Sequence, residues 1–319
     1  MAPALGRVAA AVLFAGAAAI AAPAWAEPNA SGPEALQSGV QRHAGAAGEA
    51  RPQLDLLPTP KRRRHDAAAI RAEPQGALPT WLKNAGPLPA NLAGPLIAIV
   101  IDDVGLNRRG ASRAVRLPVP VTLAYMAYAE RLPEQVAEAR RAGHEILLHI
   151  PMETVGDDTD TGPNALLTGL PREEFARRMK WNLERVEGYV GVNNHMGSRF
   201  TADRPGMTAL MRELSKHGLM FLDSRTAGNT VGRSVAREAG VPSLVRDIFL
   251  DNEPTVAGVT AQLREAEKLA REKGYAVVIG HPHDWTLDAI EQWLPGAQAR
   301  GVVLAPLTAI LRIQRFASN

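Results

Sequence analysis

Short runs of apolar residues recur along the chain from Leu96 to Leu307, and amphipathic stretches separate most of them. Such runs, alternating with segments of helical period, are typical of buried β-strands joined by helices. The predicted strands are residues 96–101, 119–126, 145–150, 189–192, 219–222, 243–250, 275–279 and 302–307. These strand-and-helix units predict an α/β fold in which a parallel sheet closes into a (β/α) barrel.

The first 95 residues have a different pattern. A lone Arg7 precedes the apolar run 8–22, and Ala24-Trp25-Ala26 fits a small-x-small cleavage site, so residues 1–26 are predicted to be a signal peptide. Cleavage would leave a periplasmic or secreted protein without a membrane span; retention of the segment as an anchor is the alternative. Residues 27–95, rich in Pro, Ala and Gly, predict a disordered linker before a single domain at 96–319.

Charge and cysteine content exclude several classes of protein. The chain has no cysteine, which excludes disulfides and thiolate metal sites. The chain carries 36 basic and 33 acidic residues, and the basic excess lies in the first 95 residues. There "KRRRH" (61–65) is either a contact for an anionic envelope polymer or lipid, or a solvated patch. The balanced charge of residues 96–319 predicts no nucleic-acid partner.

Polar and ionisable residues follow six of the predicted strands. In parallel α/β folds the carboxyl ends of the strands meet at one rim, where active sites lie. The residues at these ends are Asp102 and Asp103, His149 and Glu153, Asn193, Asn194 and His195, Asp223, Ser224 and Arg225, Asp247 and Asp251, and His281 and His283. Six such ends together predict a functional rim, and turn chemistry alone is a poor explanation for them.

Carboxylates and imidazoles without thiolates predict a site for a divalent metal ion, with Zn²⁺ the first candidate. Of the adjacent Asp102 and Asp103, one can bind the metal while the other accepts a proton from water, although helix capping is the alternative role for the pair. His149 ends a strand and could instead be a core residue. His281, which ends another strand, is predicted to be the acid for a leaving amine.

Seven motifs in order resemble one known family. They are "IAIVIDDVGLN", "GHEILLHIPMET", "LLTGLPREEF", "GVNNHMGSRFT", "GLMFLDSRT", "RDIFLDNE" and "VVIGHPHD", and they cover nearly all of residues 96–317. The chain resembles the divergent polysaccharide deacetylases, a branch of the carbohydrate esterase superfamily. The resemblance implies the deformed (β/α) barrel of the NodB type.

The resemblance also implies roles for individual residues. By it, Asp102 is the base, Asp103 and His149 are metal ligands, and His281 is the final catalytic histidine. Asp223 resembles the carboxylate that orients that histidine. Glu153 stands where the family's second ligand histidine is expected, and His195 has no counterpart in the standard pattern. We therefore predict His195 as the third ligand, with Glu153 as the alternative.

The predicted function is a metal-dependent hydrolase that removes acetyl groups from a cell-envelope polysaccharide. Asn194, Glu153, Arg199 and Arg225 are predicted to contact this carbohydrate polymer. The departure at Glu153 favours the alternative, a catalytically inactive glycan-binding or regulatory envelope protein with the same fold. A metal-dependent phosphoester hydrolase is a weaker third reading, because only Arg199 and Arg225 supply positive charge near the predicted rim.

Overall fold

The computed structural model describes residues 77–156 and 160–317. The predicted signal peptide and the predicted linker up to residue 76 lie outside the described residues. Residues 77–95, also assigned to the linker, pack against the domain: Trp81 is 2% exposed, and its backbone N–H donates to Gly218 O over 2.9 Å. Two apolar side chains, Trp81 and Leu92, explain this difference, because their burial stabilises an otherwise polar segment. Among the described helices, none has the length and apolar content of a membrane span.

Parallel strands form one sheet, as the sequence predicted. The described strands are β1 (Leu96–Val104), β2 (Thr122–Met126), β3 (Glu145–Met152), β4 (Gly191–Met196), β5 (Met220–Asp223), β6 (Ser243–Val245), β7 (Ile248–Phe249), β8 (Tyr275–Gly280) and β9 (Val303–Leu304). Their order is β6-β5-β4-β3-β2-β1-β8-β7, and β9 pairs with the start of β1. The predicted sixth strand is thus two short strands, while the predicted eighth shrinks to two residues.

The segment from Ser243 to Phe249 joins the two edges of this curled sheet. Its first half pairs with β5 and its second half pairs with β8. Between the halves, the Arg246 N–H donates to Asp223 O over 3.0 Å and the Asp247 N–H donates to Val277 O over 2.8 Å. The result is the deformed barrel that the sequence predicted.

Helices connect most of the strands. They are α1 (Thr80–Lys83), α2 (Arg108–Val115), α3 (Leu132–Ala142), α4 (Arg172–Leu183), α5 (Arg204–His217), α6 (Gly232–Glu238), α7 (Val256–Lys273), α8 (Asp284–Ala299) and α9 (Leu307–Ala317). Local chemistry fixes their ends: the Asp203 carboxylate accepts from Gly206 N–H at the start of α5. Gly274, with φ of 93°, ends α7 because this backbone conformation is unstrained only in glycine.

The sheet separates two apolar layers. Ile97, Ile99 and Ile101 of β1 pack against the surrounding helices. Leu96, Ala98 and Val100 face the interior of the barrel, where α1 and α9 complete the core. Because side chains alternate along a strand, the next inward positions after Val100 and Leu147 are Asp102 and His149. The alternation that builds the core therefore also places Asp102 and His149 at the carboxyl rim.

Candidate active site

The end of β1 brings two aspartates to the same space. Strand alternation alone would turn Asp103 away from Asp102, but Asp103 has φ of 55° and the pairing with β2 shifts register between Ile101 and Val104. Both carboxylates consequently approach His149: Nε2 lies 3.7 Å from Asp102 Oδ2 and 3.2 Å from Asp103 Oδ1. A left-handed conformation at a residue with a side chain is strained, and such strain is commonest at functional sites.

Asp103, His149 and His195 form a group whose donor atoms fit a divalent cation. His195 Nδ1 lies 2.8 Å from Asp103 Oδ1, yet that buried oxygen has no aligned hydrogen bond within the described residues. Ligand atoms around a tetrahedral Zn²⁺ lie about 3.3–3.5 Å apart, given bond lengths of about 2.0–2.2 Å. The three groups lie within 4.8 Å of one another, somewhat closer in two pairs than this spacing, and they offer the carboxylate and imidazole ligands that Zn²⁺ binds.

Asn193 orients the residues of this group. Its Nδ2 donates to Asp102 Oδ1 over 2.8 Å, and its Oδ1 lies 2.9 Å from His149 Nδ1. Since an amide oxygen only accepts, the proton of a neutral His149 must lie on Nδ1, which leaves Nε2 as a lone pair facing Asp103. The β3–β4 register explains the contact between the two side chains, because Asn193 lies directly opposite His149.

Glu153, the alternative third ligand, binds elsewhere. Its Oε2 accepts from the backbone N–H and the hydroxyl of Thr168, each over 2.6 Å, and its Oε1 lies 3.3 Å from Arg199 Nε. These contacts fix the loop after β3 and occupy the carboxylate. Of the two candidates, His195 is the one whose nitrogen lies beside Asp103. Glu153 and Arg199 instead form an ion pair at the edge of the rim.

Asn194 is almost fully buried and differs from its predicted role as a substrate contact. Its Oδ1 accepts from Ser224 N–H over 2.9 Å, and its Nδ2 donates to Met196 O over 2.7 Å. The first bond ties the end of β4 to the residue after β5, and the second lies within β4. The side chain is 1% exposed, which leaves it no surface for a ligand. Asn194 therefore positions the rim instead of contacting substrate.

The carboxylate that contacts His281 is Asp251, and not Asp223 as the family resemblance implied. Asp251 Oδ1 lies 3.1 Å from His281 Nδ1, and Asp251 Oδ2 accepts from His281 N–H over 2.6 Å. The register of β7 and β8 explains this pairing, because Phe249 lies opposite Ile279 and the next outward step brings Asp251 beside His281. Knowledge of that register would have identified Asp251 from the sequence.

Asp223 points to the other face of the sheet. Along β5, Leu222 faces the barrel interior and Phe221 faces the helices. Because side chains alternate along a strand, Asp223 faces the helices, as Phe221 does. Its Oδ1 accepts from Arg225 N–H and its Oδ2 accepts from the Thr230 hydroxyl. Asp223 thus holds the turn in which Arg225 adopts φ of 55°. Ser224, the next inward position, accepts at Oγ from Asn193 Nδ2 over 3.1 Å.

The two aspartates differ in proton affinity. Burial raises the pKa of Asp102, although His149 and His281 oppose the rise. Burial also acts on Asp103, but the facing imidazoles of His149 and His195 outweigh it and hold the pKa of Asp103 well below its usual range. Asp103 is therefore the permanent anion, as a ligand must be, and Asp102 is the carboxylate more ready to take a proton.

His281 lies across the site with a high proton affinity. Burial lowers its pKa, but the hydrogen bond and charge of Asp251 prevail and raise the pKa of His281 to about 9. Its Nε2 lies 3.9 Å from Asp103 Oδ2. An imidazolium in this position can donate a proton to a leaving group, whereas His283, the other histidine of this motif, is exposed and stacks on Trp285.

A parallel, curled (β/α) sheet thus presents carboxylates and imidazoles together at its carboxyl rim. The family model of the divergent polysaccharide deacetylases matches residues 99–311. The chain belongs to that family.

The chain is also similar to uncharacterized proteins from three bacteria. The uncharacterized protein YibQ of Escherichia coli (strain K12) is 35% identical over 201 residues, which are 63% of this chain and 62% of YibQ. A protein of Haemophilus influenzae is 37% identical over 62% of this chain and 70% of its own. The crystal structure of ATU2773 from Agrobacterium tumefaciens C58 superposes with a TM-score of 0.70 and 33% identity, over 74% of this chain and 99% of the other.

Proposed function

We propose that this protein is a metal-dependent deacetylase that removes acetyl groups from an amino sugar of a cell-envelope polysaccharide. The observation that carries the proposal is the convergence of Asp103, His149 and His195 on one point, between Asp102 on one side and His281 on the other. Membership of the deacetylase family supports the reaction class. Export to the periplasm or the medium, which the N-terminal sequence predicts, would bring the protein to such a substrate.

Asp103, His149 and His195 would hold the ion, with Zn²⁺ as the proposed metal. When bound, such an ion polarises the acetyl carbonyl and lowers the pKa of water. Asp102 is placed to accept the proton of the attacking water, and the hydrogen bond from Asn193 Nδ2 keeps its carboxylate in that orientation. His281, whose charge Asp251 stabilises, is placed to protonate the departing amine.

Purified protein loaded with Zn²⁺, Co²⁺ or Ni²⁺ should release acetate from acetylated oligosaccharides, and protein treated with a chelator should not. A matched pair of variants separates the ligand set from general effects. His195→Ala should lose metal and acetate release, whereas His217→Ala, on the exposed end of α5, should keep both. Metal binding and glycan binding without acetate release would contradict the enzyme and support the glycan-binding alternative.

A further inference from the structure

Arg246 is a half-buried cation on the segment that joins the two edges of the sheet. Its Nε donates to Ser224 O over 2.6 Å and its Nη2 donates to Arg225 O over 2.8 Å. The guanidinium lies over the ring of Phe249, with 4.9 Å from the carbon of the guanidinium to the ring centroid. Two backbone acceptors and an aromatic face thus fix the plane of this group at the carboxyl rim.

The contacts of Arg246 connect it to both sides of the active site. On one side, Ser224 Oγ bonds Asn193, which in turn donates to Asp102. On the other side, the Phe249 ring contacts the His281 ring with 5.4 Å between centroids. Arg246 is therefore connected through neighbouring residues to both the proposed base and the proposed acid.

The hydrogen-bond donors of Arg246 are only partly used. A guanidinium has five N–H donors, and within residues 77–156 and 160–317 only the two bonds above use them. The nearby carboxylates have other partners: Asp223 bonds Thr230 and the Arg225 N–H, and Asp247 bonds Lys273 and the Val277 N–H.

A second guanidinium adds to this charge. Arg225 is exposed, and its side chain has no hydrogen bond or ion pair with any described residue. Burial, together with the charge of Arg225, lowers the pKa of Arg246 despite the nearby Asp102. The two guanidinium groups are close enough to repel each other, and Arg246 is fixed in place with unused donors. An anion bound between them would reduce this repulsion and accept those hydrogen bonds.

We propose that Arg246 and Arg225 form a subsite for a sugar carboxylate, so that the substrate is an acidic acetylated glycan. The inference rests on the proposed function and names its substrate class. A carboxylate accepts two parallel N–H bonds from a guanidinium, which gives both orientation and selectivity. A neutral glycan would leave those donors without partners and would bind more weakly.

Equilibrium binding tests the proposal without requiring turnover. Calorimetry on metal-loaded Asp102→Asn protein would compare four probes: a tetrasaccharide of alternating N-acetylglucosamine and N-acetylmuramic acid, a hyaluronan tetrasaccharide, an N-acetylglucosamine tetrasaccharide and sodium acetate. The first two carry carboxylates from different sugars, and the third is neutral. We expect at least one acidic tetrasaccharide to bind roughly 10-fold or more tightly than the neutral one. The reason is that only an acidic sugar can form a charged hydrogen bond with the guanidinium of Arg246.

Variants in the same background assign the preference to the two arginines. Arg246→Gln should abolish the preference for acidic probes, and Arg225→Gln should reduce it by about 3- to 5-fold, since its side chain is exposed. Arg212→Gln, an exposed change of equal charge on α5, should leave it intact. If Arg246→Gln fails to fold, Arg225→Gln decides the test.

Equal affinity for acidic and neutral tetrasaccharides would overturn the proposal, as would a preference that survives the arginine substitutions. Acetate alone binding as tightly as the acidic tetrasaccharides would overturn the assignment to a sugar. Failure of the proposed function gives a different result. In that case no acetylated probe would release acetate with wild-type protein, while the binding preference could still be measured.

Discussion

The buried carboxylate of Glu145 at the start of β3 and the partly exposed carboxylate of Asp103 near the end of β1 show how the ends of the barrel differ. At the amino end, Glu145 accepts from Gly86 N–H, from the Thr122 hydroxyl and from both the N–H and the hydroxyl of Thr308. At the carboxyl end, Asp103 Oδ1 is as hidden from water but has no aligned donor among the described residues. The protein supplies aligned donors to the first group, whereas the second faces the imidazoles of His149 and His195, with which it could hold a metal ion.

Substitution of Asp103 should have the largest effect on metal binding. Asp103→Ala should lower the affinity for Zn²⁺ by more than about 100-fold, since loss of an orienting residue alone costs about 10–100-fold. Competition with a chromophoric chelator measures this affinity. Retained affinity would remove Asp103 from the ligand set.

Asp102→Asn should keep the metal and lower turnover by about 10²- to 10⁴-fold, which is the contribution of a general base. The amide oxygen of the substituted side chain can still accept from Asn193 Nδ2, so the local hydrogen bond survives. Acetate release and metal content on the same sample test the separation of roles. Loss of both together would show that Asp102 is a ligand.

Glu145→Ala should act in the opposite way to Asp103→Ala. Four donors from three segments of the chain would lose their acceptor in a buried place, and the free energy of unfolding should fall by about 3 kcal/mol. Affinity for Zn²⁺ should not change. Denaturant unfolding of metal-free protein, with the exposed Glu138→Ala as control, measures the effect. Unchanged stability would contradict the structural role of Glu145.

Asn193→Ala should weaken Zn²⁺ binding by about 10–100-fold, because His149 would lose the acceptor that fixes its proton on Nδ1. The chelator competition used for Asp103 measures this smaller effect. Asn193→Asp keeps an acceptor for His149 and should bind metal more tightly than Asn193→Ala. Equal affinities of the two variants would contradict the orienting role.

The pH dependence of stability tests how burial affects the carboxyl group of Glu145. Burial raises the pKa of Glu145, although the hydrogen bonds from Thr308 and Gly86 oppose the rise. The folded state then holds the proton more tightly than the unfolded state, so this group's contribution to stability falls as pH rises above the unfolded pKa. Glu145→Gln should remove that fall. The difference in unfolding free energy between wild type and Glu145→Gln, measured from pH 4 to pH 8, tests the sign.

Strand alternation made part of the site predictable from the sequence. The inward series Leu96, Ala98, Val100 leads to Asp102, and the same series on β3 leads to His149. Asp223 shows the limit of prediction from motifs alone, because its side chain lies on the face of β5 that packs against the helices. The left-handed backbone at Asp103 was not predictable, since it depends on a register shift between strands.

Arg246 and Asp251 needed information about pairing. Both lie in or after an apolar run that reads as one strand, and only the structure shows that the run changes partners at Arg246. The packed segment around Trp81 was assigned to the linker, since its few apolar residues are diluted by Pro and Gly. Short segments that pack through two or three side chains have little periodicity to detect.

The segment from Ser243 to Phe249 has a consequence for self-association. Unpaired strand edges are templates on which other chains can add, and proteins protect them by closure or cover. Here one short segment covers the edges of both β5 and β8 with a few hydrogen bonds. Leu244, which packs in the barrel interior, anchors its first half. Release of this segment would expose the edges of β5 and β8 at once. We therefore expect aggregation of the protein to start where residues 243–249 close the barrel.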